Sequence, residues 1–364
     1  MKKLGIFLIL GIFLTSCATT NKIQNDSVNV RFLDEYVISD TLTQSNTLVG
    51  GLSGIDYNNK TYNLIVDTAK DARYYNVSIS INHETIDTVI FNSTTFINKE
   101  ADFFKTHPLD PESIRFIDNN EVIITSEGSI NNKKDPSVFI IDSKGNYTNS
   151  LKLPSYFSAT GKQRPRHNGV FEGLTKSFDN KGYWVTTELP LTNDGAKPKL
   201  FPTRSYVRVT YFDKETLEPS KQFTYKLDGI SKIPWMYFAV NGVTEILEYK
   251  KDHFLVLERA YSAGHGSHSN TVKLFDVDAS NTTNTLETKR LKKSKVITSK
   301  KKLIFDFKSI KNQLTDGIVD NIEGMCFGPV LPNGNQSLIL VSDNNFNSFG
   351  KQLSQIILME IKTQ

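Results

Sequence analysis

The stretch Asn168-Gly169-Val170-Phe171-Glu172-Gly173-Leu174 decides the fold, because the chain repeats it. It returns as Asn241-Gly242-Val243-Thr244-Glu245-Ile246-Leu247. Related starts stand at Gly51-Leu52-Ser53-Gly54-Ile55, Asp110-Pro111-Glu112-Ser113-Ile114 and Asn321-Ile322-Glu323-Gly324-Met325. Counted from Ser53, successive starts lie 59, 60, 73 and 78 residues apart. Self-similarity on that scale marks one supersecondary unit used several times. After each start come a short apolar run, a polar turn and a second apolar run. The turns are Asn58-Asn59-Lys60, Asn119-Asn120, Asn180-Lys181-Gly182, Lys250-Lys251-Asp252 and Asn333-Gly334-Asn335, rich in the residues that hairpins require. Each second run ends on an acid: Asp67, Glu127, Glu188, Glu258 and Asp343.

Around these units the periodicity is two, not 3.6. Tyr75, Val77, Ile79 and Ile81 alternate with Asn76, Ser78, Ser80 and Asn82, and Val207, Val209 and Tyr211 alternate with Arg208 and Thr210. Such segments are strands with one packed and one polar face. Units of this length with three or four short strands predict an all-β chain folded as a β-propeller. Five blades are counted, with room for a divergent sixth, and a pair of open sandwiches accounts poorly for the repeat. Blade one extends from Ile55 to Phe91, and the outer strands of blade two are expected at Val138 to Ile141 and Leu151 to Leu153. The last unit has three strands. An orphan pattern at Val28 to Ile38 is expected to pair with it and close the ring, which removes exposed edges.

The repeat implies a site. A first strand that starts on one face turns at the other, and the second strand returns, so the start of one and the end of the next share a face. With the first strand innermost, Glu112, Glu172, Glu245 and Glu323 are expected to ring the channel, with Asp67, Glu127, Glu188, Glu258 and Asp343 close by. Carboxylates so close together either take up protons or bind a cation. Oxygen-only ligands in a roomy cluster suit Ca²⁺ first and Mg²⁺ second. Arg166 and His167 directly precede the third start and suit an anion clamp and a general acid. Arg73 and Arg259 lie toward the same face as candidate substrate contacts.

The N-terminus is a separate matter. Lys2 and Lys3 precede an apolar run from Leu4 to Leu14, too short to span a bilayer, and Leu14-Thr15-Ser16-Cys17 follows. This resembles a bacterial lipoprotein signal. It implies removal of residues 1–16, lipid on Cys17, a polar tether over 17–27 and one propeller domain over 28–364. Ala18 fits outer-membrane sorting, so the expected location is the cell envelope. A single further cysteine, Cys326, excludes a disulfide in the mature chain, and its apolar neighbours Met325 and Phe327 read as core. The net charge of +4 gives no case for nucleic acid. Eight Lys or Arg between Lys289 and Lys302 read as a solvated outer edge strand. The partners expected are the membrane, through Cys17, and a small anionic or ester substrate, with the chain a monomer.

The same repeated starts carry a family resemblance. Asp110 to Gly128, Arg166 to Leu191, Asn241 to Ala260 and Asn321 to Phe346 resemble the "esterase-like activity of phytase" family, a phytase-like domain of exported bacterial proteins. The two glutamate-glycine starts and Val341-Ser342-Asp343-Asn344-Asn345-Phe346 are its most specific part. The resemblance implies hydrolysis of phosphate or other esters. It marks Glu112, Glu172, Glu188, Glu245, Glu258, Glu323 and Asp343, while Ser53 departs from the glutamate of the other blades. Neither a Gly-x-Ser-x-Gly elbow nor a phosphate-binding Gly-Lys-Ser/Thr loop is present, against an α/β serine hydrolase or a nucleotide-binding P-loop. Three functions follow from these residues. The first is a metal-dependent ester hydrolase with Glu172, Glu323 and His167 at its chemistry. The others are a non-catalytic binding lipoprotein and a lactonase-like calcium propeller.

Overall fold

In a computed structural model, which describes residues 28–118, 120–348 and 350–363, the chain forms five four-stranded antiparallel sheets. The expected signal segment, Cys17 and the expected tether lie outside the described residues, as does residue 119 of the second turn. Blade one holds Leu52–Tyr57, Tyr62–Val66, Arg73–Asn82 and Thr85–Phe96. Blade two holds Pro111–Phe116, Glu121–Ser126, Ser137–Asp142 and Tyr147–Ser150. Blade three comprises Phe171–Lys176, Gly182–Thr187, Tyr206–Asp213 and Pro219–Lys226. Blade four comprises Ala239–Lys250, His253–Ser262, Asn270–Asp278 and Lys300–Asp306. Blade five has Asn321–Val330, Gln336–Asp343 and Ser354–Thr363, and its outermost strand is Val28–Ile38, paired from Val28 opposite Thr363 to Ile38 opposite Ser354.

The first strands pack on one another around the axis, so the repeated starts face the hub. The apolar cores lie between blades. Leu174, Tyr183 and Val185 of blade three meet Ile123, Val138 and Ile140 of blade two. Leu52, Leu64 and Tyr75 of the first blade meet Ile339, Val341 and Ile356 of the last, with Cys326 buried among them. The five-bladed propeller expected from the repeat is therefore the fold observed.

Two local expectations need correction. The outer strand of blade two is Tyr147–Ser150 rather than Leu151 to Leu153. Asp142 accepts from the Lys144 and Asn146 N–H groups and Gly145 takes a positive φ, so the hairpin turns early and Leu151 is left to fill the core. Of the basic stretch, only Lys300 onward is an outer strand, and the residues before it are connecting chain with one short 3-10 turn. No helix of the described residues is long and apolar enough to cross a membrane.

Candidate functional site

Every inner strand carries a β-bulge at its start, and the bulge sets the site. In blade five Ile322 pairs with Ser342 and Gly324 with Val341, so Glu323 is the extra residue. Ser53 is extra in blade one by the same criterion. Glu112 and Glu172 fall within the corresponding interruptions of blades two and three. A bulge kinks its strand and re-aims a side chain, here toward the hub. The residue that follows is small, Gly54, Ser113, Gly173 or Gly324, because inner strands touch there. A Cβ on Gly54 would lie 2.8 Å from Ser113 Cα, and one on Gly324 2.8 Å from Gly54 Cα.

Blade four departs by one residue. Val243 pairs with Glu258 and Glu245 with Leu257, which makes Thr244 the bulge residue and puts Glu245 at the glycine position. A one-residue offset sends each side chain to the opposite side of the strand. Glu245 therefore points down the channel, where Oε2 lies 2.7 Å from Arg115 Nη2 and accepts from Ser113 Oγ, while Oε1 accepts from the Leu174 and Ile246 N–H groups. Glu258 turns outward and is held by Tyr225 Oη, Asn241 Nδ2, the Asp228 N–H and Lys301 Nζ. Both were expected at the ring, and neither is there. The missing signal was Ile246, which stands where a glycine follows Glu172 and Glu323. At the strand-end position of Asp67, Glu127, Glu188 and Asp343, blade four places Arg259, which pairs with Gly242. A Cβ at Gly242 would lie 2.4 Å from Glu188 Cγ, so only glycine lets Glu188 reach the hub.

The hub thus gathers acids from four blades around one arginine. Arg259 donates from Nη2 to Glu323 Oε1 at 2.8 Å and lies 3.8 Å from Glu188 Oε1, while its buried Nε has no partner among the described residues. Two triads stand out. Oxygens of Asp67, Asp110 and Glu112 all lie within 4.8 Å of one another, and so do those of Glu112, Glu127 and Glu172. Asp67 and Glu127 were expected beside the ring though not as ligands, whereas Asp110, which opens the second start, was not expected there. Glu112 and Glu172 are over nine-tenths buried, yet neither carboxylate accepts a hydrogen bond among the described residues. Asp67, Glu112, Glu172, Asp320, Glu323 and Asp343 line a cavity of about 580 Å³.

Electrostatics follow from that crowding. Burial, reinforced by their acidic neighbours, drives Glu112, Glu172, Asp67 and Asp343 well above the usual carboxylate range. Glu127 is pushed up to about 8 by burial and by Glu188, against the Val170 and Gly169 N–H groups that it accepts. Burial takes Glu188 to about 7 despite Arg259, and Asp110 to about 6 despite His167. Glu323 rises too, from burial, with Arg259 and Asn321 opposing.

The remaining expected contacts are placed less centrally. Arg166 donates to the Pro190 and Gly195 carbonyls, and Arg73 is buried against Tyr75 Oη and the Asp71 and Leu48 carbonyls. Their guanidinium groups are committed to holding loops, which removes them as substrate clamps. His167 is exposed and stands near enough to Asp110 to lower its pKa.

Residues 47–346 match the phytase-like family, described as "esterase-like activity of phytase". The chain belongs to that family. No curated protein matches this phytase-like chain. Among solved structures it is similar to an endo-arabinase from Bacteroides thetaiotaomicron, at 13% identity, TM-score 0.47, over 90% of this chain and 99% of that one. It is also similar to a GH43 β-1,3-galactosidase seen with galactodeoxynojirimycin, at 10% identity, TM-score 0.47, over 90% and 95%. A third is the major Malassezia sympodialis allergen Mala s 1, at 9% identity, TM-score 0.42, over 86% and 94%.

Proposed function

We propose that this phytase-like hub binds divalent cation, Ca²⁺ before Mg²⁺, and hydrolyses phosphate or related esters. One observation carries the reading: Glu112 and Glu172 open into the cavity amid a crowd of acids, and no donor of the described residues meets their carboxylates, a costly arrangement unless something neutralises it. Oxygens within 4.8 Å of one another match the span across an ion whose ligands stand at about 2.4 Å, as for calcium. Magnesium, at about 2.1 Å, would require the triads to contract. Glu112 belongs to both triads, so the donor set accommodates two cations sharing one carboxylate, Asp67 and Asp110 on one side, Glu127 and Glu172 on the other.

When bound, the cation would offset carboxylate charge, polarise the ester and acidify a water. The chain's own residues do the rest. Arg259 lines the cavity, where its guanidinium can face an anionic substrate group, and Glu323 with Glu188 fixes that guanidinium in place. Glu172 faces the cavity, where its carboxylate oxygen not held by the cation would serve as the general base, and His167, next to the cavity-lining Asn168 and near Asp110, is suited to protonate a leaving group. Glu245 and Glu258 take no part, because each is already paired.

Elemental analysis of purified protein, followed by a panel of phosphate esters, carboxyl esters and lactones, tests the reading. Bound Ca²⁺ or Mg²⁺ and activity abolished by EDTA are expected, with both lost in Glu172→Gln. Turnover that persists in excess EDTA would contradict the mechanism. Bound metal without turnover would instead favour a display module. The envelope assignment belongs to the same proposal. Val28 lies at the strand end remote from the hub, since Ile38 is the end that pairs beside Ser342 and Leu353. A lipidated Cys17 would then hold the propeller from the face opposite the acids, and mass spectrometry of the mature N-terminus decides whether Cys17 carries lipid.

A further inference from the structure

At the rim of the acid cavity stands a loop whose side chains run against ordinary solvation. Ile233, Trp235 and Met236 are each about two-thirds exposed or more (68%, 73% and 70%), Tyr237 is fully exposed, and Phe238 follows at 54%. Scattered exposed apolar residues need no explanation, but five within six consecutive positions form a patch. The loop is not a collapsed or untethered segment. Trp235 and Met236 donate their N–H groups to the Ala263 carbonyl, and Ala263 donates back to the Phe238 carbonyl. Ser262 Oγ donates to the Lys232 carbonyl, and the Trp235 and His265 rings lie 4.6 Å apart. Gly264 takes φ of +99°, and a Cβ there would sit 2.7 Å from Trp235 Cβ, so the close approach requires glycine. The backbone is pinned so that the apolar side chains project outward.

The finger is continuous with the hub. Phe238 and Tyr261, 6.2 Å apart, line the same cavity as Glu112, Glu172 and Glu323. Among the described residues, that cavity has six acids along its wall and, as cations, Arg259 and Lys351. Even with metal bound, such a wall favours a substrate carrying one anionic or ester group over a compact polyanion. An ester group seated at the cation would leave the remainder of the molecule to rise past Phe238 onto the exposed rings.

We infer that Ile233 to Phe238 is a substrate lip that holds the apolar or ring-shaped part of an ester whose reacting group lies in the hub. This rests on the reading of the hub as an ester site, and it narrows the substrate class to esters with a bulky apolar flank. Aromatic side chains supply large, amphipathic contact area for such a flank at little entropic cost.

The chain has two tryptophans, and Trp184 is buried against Phe223 and Phe254, so exposed Trp235 reports on the lip. The test titrates the full chain, with Ca²⁺ and with EDTA, with phenyl phosphate and with methyl phosphate, which share a charged group and differ in the apolar part. Phenyl phosphate is expected to shift Trp235 emission to the blue and to bind about tenfold more tightly than methyl phosphate. I233S/Y237S, at two exposed positions that do not line the cavity, should erase that advantage while leaving methyl phosphate affinity unchanged. An affinity ratio near one, or no binding of either ester, overturns the lip. Loss of the EDTA effect with the ratio intact removes the metal reading and keeps the lip. Emission that responds to phosphatidylglycerol vesicles and not to phenyl phosphate overturns it in favour of a bilayer contact.

Discussion

Two buried glutamates on inner strands, Glu245 of blade four and Glu112 of blade two, face the same channel and meet opposite fates. Glu245 sits beside the Arg115 guanidinium and accepts two backbone N–H groups and a serine hydroxyl. Arg115 also donates to the Ile55, Ile114 and Met325 carbonyls and so ties three blades together at the floor of the hub. Glu112 has no such company among the described residues; it faces Asp67, Asp110, Glu127, Glu172 and Glu323. The contrast teaches that acidity and burial do not define a site. What distinguishes the hub is missing compensation, since a satisfied buried acid is architecture and an unsatisfied one awaits a ligand.

The sharpest way to break the comparison is to make Glu245 resemble Glu112. Arg115→Met strands a buried carboxylate and should destabilise the fold by about 3–5 kcal/mol, read from urea midpoints. An effect within about 0.5 kcal/mol, the size usual for surface changes, would show that the pair holds nothing together. Next in size, Gly242→Ala drives a methyl into Glu188 and should cost about 1–3 kcal/mol while weakening cation binding. Unchanged binding in a folded variant would separate Glu188 from the hub.

A pH series on metal-free protein comes third. Asp110, Glu188 and Glu127 titrate at about 6, 7 and 8 in the fold, above their unfolded values near 4. The folded state therefore binds more protons than the unfolded one across that window, and stability falls as pH rises from about 4 to about 8. Melting temperature should drop between pH 5 and 8 and recover at pH 8 on adding Ca²⁺. A melting temperature that climbs toward pH 8 without metal would mean that the acids are already compensated. The smallest effect carries an unusual sign. Glu112→Gln should stabilise the metal-free protein at pH 8 by about 1 kcal/mol, because it removes a carboxyl that is ionised in the unfolded chain and disfavoured as a charge in the fold.

Much of this was legible before any coordinates. Alternation and repeated starts led to five blades, and strand direction alone put Glu112, Glu172, Glu323 and Asp343 at one end of the channel. What was hidden were single-residue matters. Asn241-Gly242-Val243 imitates Asn168-Gly169-Val170 so well that blade four was aligned one position off, and with period two that error reverses both of its acids. Arg259, adjacent to Glu258, was assigned to substrate for its loop rather than as the hub's counter-charge. Arg73 and Arg166 illustrate a different limit, because sequence places a guanidinium near a face but not the carbonyls that will occupy it. The lip went unnoticed since an apolar run in an all-β chain ordinarily reads as core.

Calorimetric titration of Ca²⁺ into chelator-treated protein at pH 8 bears most directly on the central claim, using wild type, Glu112→Gln and Glu258→Gln. Saturable binding is expected in wild type, lost in Glu112→Gln and kept in Glu258→Gln, whose side chain serves Tyr225 and Lys301 instead. Equal binding in wild type and Glu112→Gln, or no binding in any, would contradict a hub built to hold a cation.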